Sequence, residues 1–148
     1  MRRHRAKRVT GKRALAGWAI VVYLFLYVPI LLVVALVLFG LAGGELVRAG
    51  CSAGLRVANE VFADRTYQPD GTLTPRNQPH AIIHDLPVAL GQVEQMVRNG
   101  TVFALDGSEV AVEPDTICIH GDEPGAAIFA RELRALLNRL GIAVRAPE

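Results

Sequence analysis

The 148-residue chain has only two cysteines, Cys51 and Cys118, and neither belongs to a paired-cysteine motif. That excludes a disulfide scaffold and a cysteine-based zinc site. Also missing are a P-loop, a dinucleotide-binding fingerprint and a G-x-S-x-G elbow, so the familiar local signatures of nucleotide binding and serine hydrolysis are absent. No internal repeat or low-complexity segment occurs, and a hydrophobic fraction of 51% excludes collagen-like and wholly disordered chains. Charge is missing by region. The first 13 positions contain no acid, and residues 14–44 contain no Asp, Glu, Lys, Arg or His.

What is there follows the same partition. Seven of the 16 basic residues (Arg2, Arg3, Arg5, Lys7, Arg8, Lys12 and Arg13) precede the uncharged run. Residues 45–148 carry the other nine and all 14 acids, a net charge of −5 behind an overall value of +2. Three regions are expected: a basic tail over 1–13, a membrane-spanning helix over 14–44, and an α/β body over 45–148. The stretch Trp18 to Phe39 is apolar on every side, with no amphipathic stripe, and is long enough to cross a hydrocarbon core of about 30 Å. Pro29 is expected to kink this helix, and Trp18, Tyr23 and Tyr27 to sit at the interface. The apolar run is about twice the length of a secretory signal, and Glu45 and Arg48 spoil Ala49-Gly50-Cys51 as a lipoprotein cleavage box. The basic tail beside a span sets topology rather than binding nucleic acid. The N-terminus is then expected to be cytoplasmic and the body exported, in a single-pass membrane protein.

In the body, Glu45 to Ala53 reads as a short helix ending near Gly54, and Leu55 to Val57 as a brief strand. A polar loop from Ala63 to Pro79 follows. Asp85 caps a predicted helix over 86–98 that places Leu86, Leu90, Val93 and Val97 on one face, with Gly100 just beyond its end. Asp106-Gly107 between Thr101–Ala104 and Glu109–Val112 signals a hairpin. Thr116 to Ile119 reads as a strand, and a helix over 126–140 turns Phe129, Leu133, Leu136, Leu137 and Leu140 inward. Gly141 ends it, and Ile142 to Val144 reads as a last strand. Alternating strands and helices predict α/β architecture with parallel pairing.

Ligands of parallel α/β folds bind beyond the carboxyl ends of strands. His120 and Asp122 follow the strand T-I-C-I, close enough to share a proton if the strand continues, though Asp122 also suits a helix cap. Asp64, Arg65 and Tyr67 likewise enter a loop after a strand, and Arg65 and Arg76 are suited to grip a carboxylate. His80 and His84 stand four apart, but Pro79 and Ile82-Ile83 favour an extended segment that parts the imidazoles by about 13 Å, too far for one metal ion. Cys118, inside an apolar strand, is expected to be a buried thiol, and Asn99-Gly100-Thr101 is a chance-level glycosylation sequon.

The body resembles the C-terminal part of the LamB/YcsF family in G-L-R-V-A-N-E-V-F-A-D-R-T-Y (Gly54 to Tyr67), G-T-L-T-P-R-N-Q-P (Gly71 to Pro79), A-I-I-H-D, and D-T-I-C-I-H-G-D-E-P (Asp115 to Pro124). One departure is His80, where the family has a glycine. The resemblance implies a partial TIM-barrel-like (β/α) fragment. It also implies a role in ATP-dependent opening of the 5-oxoproline lactam to glutamate, with 5-oxoprolinase subunits B and C as partners. It carries over His120, Asp122 and Asp64 as catalytic candidates and Arg65 and Arg76 as substrate-binding ones, with no metal. The family's N-terminal motifs (N-x-D-x-G-E, C-G-F-H-x-G-D, H-P-G-Y-P-D, K-P-H-G-A-L-Y) are absent, so the fragment is expected to be catalytically incomplete alone. The head is similar to the first span of binding-protein-dependent transporter permeases. Two other functions are therefore a membrane-tethered scaffold module and the opening span of a transporter.

Overall fold

The structure, a computed structural model, describes residues 15–28, 37–121 and 125–146. The chain divides into two compact units, residues 1–36 and 37–148. In the first, α1 is described over residues 15–28.

The second unit is built on a three-stranded parallel sheet. Its strands are β1 (Leu38–Leu41), β2 (Val57–Phe62) and β5 (Thr116–Cys118), in the order β1-β2-β5. Leu38 pairs with Val57 at one end of the first ladder, and Glu60 with Thr116 and Phe62 with Cys118 in the second. Between β2 and β5 come α3 (Leu86–Asn99) and an antiparallel hairpin of β3 (Thr101–Phe103) and β4 (Glu109–Ala111). Helix α2 (Glu45–Ser52) links β1 to β2, and α4 (Ala126–Arg139) follows β5.

Local chemistry sets the boundaries. The Asp85 carboxylate accepts from the Val88 N–H at 3.0 Å and starts α3; Gly100, in the left-handed conformation at φ 66°, ends it. The Asp106 carboxylate accepts from the Ser108 N–H at 3.0 Å and fixes the expected hairpin turn. Strand β2 starts at Val57 rather than Leu55 because the Leu55 N–H donates to Gly50 O at 3.0 Å, closing α2. The strand expected over Ile142 to Val144 does not form. The Ile142 N–H donates to Leu137 O at 2.9 Å, capping α4, and the side chain joins the core instead.

Helices α2, α3 and α4 all pack on one face of the sheet. Val61, Met96, Val102, Val112 and Tyr67 form one core cluster; Ala63, Val93, Leu133, Leu136 and Leu137 form the other. Gly50 of α2 lies so close to the sheet that an added Cβ would stand 2.7 Å from both Leu38 and Val57 side-chain carbons.

The expected membrane span is overturned. Its distal part, Leu38–Leu41, is a strand in the central sheet. A parallel strand reads as a short apolar run, which merges here with the apolar residues before it. Among the described residues no helix is long and apolar enough to cross a membrane. The single-pass location, the cytoplasmic N-terminus, the exported body and the membrane as partner fall with it. The basic tail and Pro29 lie outside the described residues.

Candidate functional site

The carboxyl ends of β2 and β5 bring Asp64 and His120 together. Phe62 and Cys118 are register partners, so two residues further along each chain Asp64 and His120 emerge side by side. His120 Nδ1 lies 2.9 Å from Asp64 Oδ1 and 2.8 Å from Oδ2, and the His120 backbone N–H donates to Oδ2 at 3.1 Å. The carboxylate is buried and the imidazole partly open, with side-chain exposures of 7% and 21%. A carboxylate that accepts from Nδ1–H leaves Nε2 as the nitrogen able to take a proton. Phe62 stacks on the imidazole at 6.1 Å between ring centres. A cavity of about 380 Å³ opens beside the pair, lined also by Ile82, Ile83, His84, Leu86, Ala89 and Phe129.

Gln92, which sequence reasoning passed over, holds this turn in place. Its Nε2 lies 3.1, 3.2 and 2.9 Å from the carbonyl oxygens of Phe62, Ala63 and Arg65, the residues around Asp64. The signal was available. Ala89, Val93 and Met96 are the buried positions of α3, and Gln92 falls on their helical spacing as a polar residue needing partners.

Arg65 is buried rather than open to the cavity. Its Nε donates to Ala81 O at 3.1 Å and a terminal nitrogen donates to Thr74 O at 2.6 Å, tying together the loop after β2. Burial, and next the like charge of Arg76, hold its guanidinium below the ordinary arginine value, while Asp64 pulls the other way. Arg76 is exposed, and its charge also reaches Cys118. The Cys118 thiol is half-buried, and burial, with Glu60 and Asp64 nearby, pushes it up and keeps it protonated. Tyr67 is fully buried; its hydroxyl oxygen accepts from the Phe62 N–H at 2.8 Å, and burial pushes it up to about 12. His80 holds φ 62°. Asp122 lies outside the described residues, so the pairing expected for it with His120 is not described. Among the described residues no three His, Cys, Asp or Glu side chains are grouped to hold a metal ion.

The fold is α/β with a parallel sheet, and an acid-oriented imidazole beside a small pocket at its carboxyl edge is chemically able to accept and return a proton. The sequence matches the LamB/YcsF family over residues 27–148, and the chain belongs to that family. It is 59% identical over 111 residues to the A subunit of 5-oxoprolinase from Bordetella parapertussis, a stretch covering 75% of this chain and 44% of the relative. Identity to the corresponding 5-oxoprolinase component of Halalkalibacterium halodurans is 56% over 110 residues, covering 74% and 43%. The structure is similar to the lactam utilization protein of Thermus thermophilus, with a TM-score of 0.70 and 42% identity over 77% of this chain and 45% of that one. The chain thus spans less than half the length of these relatives, and the family match begins inside the run expected to cross a membrane.

Proposed function

We propose that this chain is the part of a 5-oxoprolinase A subunit that carries its acid–imidazole pair, and that its sheet is a segment of a TIM-barrel-like (β/α) arrangement. The reading rests on one observation: the Asp64–His120 pair stands at the carboxyl edge of a parallel sheet, in a family whose similar members are named for opening 5-oxoproline.

In the reaction, water adds to the lactam carbonyl, the ring C–N bond breaks, and the nitrogen takes up a proton. His120 Nε2 accepts the proton from the attacking water and returns it to the departing nitrogen. Asp64 fixes the tautomer and stabilises the imidazolium formed in between. Arg65 holds the loop by donating to the Ala81 and Thr74 carbonyl oxygens, and Arg76 is exposed and does not line the cavity. The assembled enzyme includes subunits B and C and consumes ATP. The cavity beside the pair does not fit a triphosphate, because its lining offers one acid, two imidazoles and apolar side chains but no arginine or lysine. ATP is therefore assigned to another part of the assembly.

The test is titration of 15N-histidine-labelled chain with 5-oxoproline, followed by imidazole NMR. The His120 ring signals are expected to move, and Asp64→Asn to weaken the response at least tenfold. Unmoved His120 signals at saturating 5-oxoproline would overturn the reading.

A further inference from the structure

Helices α2, α3 and α4 cover only one face of the β1-β2-β5 sheet. Val61, Ala63 and Ile117 point toward the core clusters, and Gly40 and Val57 toward α2. Alternation along the strands sends Phe39 of β1, Glu60 and Phe62 of β2 and Cys118 of β5 to the opposite face. These side chains are not sealed off: Phe39 is 44% exposed, and Glu60, Phe62 and Cys118 are half-buried. Parallel sheets are covered on both faces in folded proteins. Among the described residues β5 also has no neighbour on its outer side, and a groove of about 1110 Å³ lies beside it, lined among others by Ile117, Ile119, Leu133 and Leu137. An open parallel edge is a template for another strand.

The relatives indicate what covers this surface. More than half of the Bordetella relative, and of the Thermus structure, lies outside the stretch shared with this chain. We infer that the uncovered face and the outer edge of β5 form a docking surface for a polypeptide carrying the remaining part of the LamB/YcsF fold, which pairs its strands with β5 and covers Phe39, Phe62 and Cys118. The inference rests on family membership and sheet geometry, independently of the proton-transfer role of His120.

The full chain is co-expressed with the part of the Bordetella parapertussis relative that lies outside the shared stretch, and the product is sized by light scattering. The two cysteines report the contact: Cys118 sits on the docking face, while Cys51, exposed on α2, is an internal control. A one-to-one complex is expected, in which maleimide labelling of Cys118 slows at least tenfold and that of Cys51 is unchanged. Phe39→Lys is expected to abolish the complex while leaving the circular dichroism of the chain intact. A chain that stays unpartnered with Cys118 equally reactive would overturn the inference. So would a homodimer in which Cys118 is already protected.

Discussion

His80 stands where the family resemblance leads one to expect a glycine, and its backbone carries the cost. A left-handed φ of 62° is disfavoured by about 1 kcal/mol for a side chain with a Cβ. The position persists because the His80 carbonyl accepts from the Thr66 hydroxyl at 2.8 Å, a contact a glycine would keep. His80→Gly is therefore expected to raise stability by about 1 kcal/mol in urea unfolding, where the loss of loop flexibility on folding sets an upper limit. Tyr67 gives a second residue-scale expectation. Folded Tyr67 holds its proton up to about 12, whereas an unfolded tyrosine releases it near ~10. The folded state binds this proton more tightly, so its contribution is complete below about pH 10 and is lost as pH rises toward 12. Stability should fall by an amount on the order of 2 kcal/mol across that window, and Tyr67→Phe, though less stable at neutral pH, should remove most of the slope in pH-dependent denaturation.

At the scale of elements, Gly50 decides how closely α2 rides on the sheet. Gly50→Val would drive side-chain carbons into Leu38 and Val57 and force the helix outward, costing about 1–3 kcal/mol; a chemical melt with an unchanged midpoint would contradict this packing. Elements with marked ends were legible in the sequence, α3 between Asp85 and Gly100 and the hairpin around Asp106, and α4, which has no side-chain cap, was legible from its leucine stripe. Strand β1 was not. The four residues L-F-G-L of this parallel strand show no polar alternation, and Leu38–Leu41 follows an apolar run directly, so no boundary marks where one ends. Ile142 failed for another reason, since its backbone donor was already committed to the end of α4.

For the whole molecule, spacing along the chain placed Asp64 and His120 just beyond strands and read His120 with its neighbour Asp122, which lies outside the described residues, but did not join His120 to Asp64. Register across β2 and β5 joins residues 56 apart, which no local spacing reveals. The chain spans under half of its relatives' length, and the Asp64–His120 pair lies within the stretch that matches the family. The pair needs only two adjacent strands, whereas the opposite face needs the rest of the fold. The most direct test is glutamate release from 5-oxoproline and ATP by the complex of this chain with the complementary part of a relative, supplied with subunits B and C. Release is predicted for the wild-type complex, with a loss of roughly 100-fold or more in His120→Ala at unchanged complex size. No release from the wild-type complex, or equal rates with and without the imidazole, would contradict a proton-transfer role for the Asp64–His120 pair.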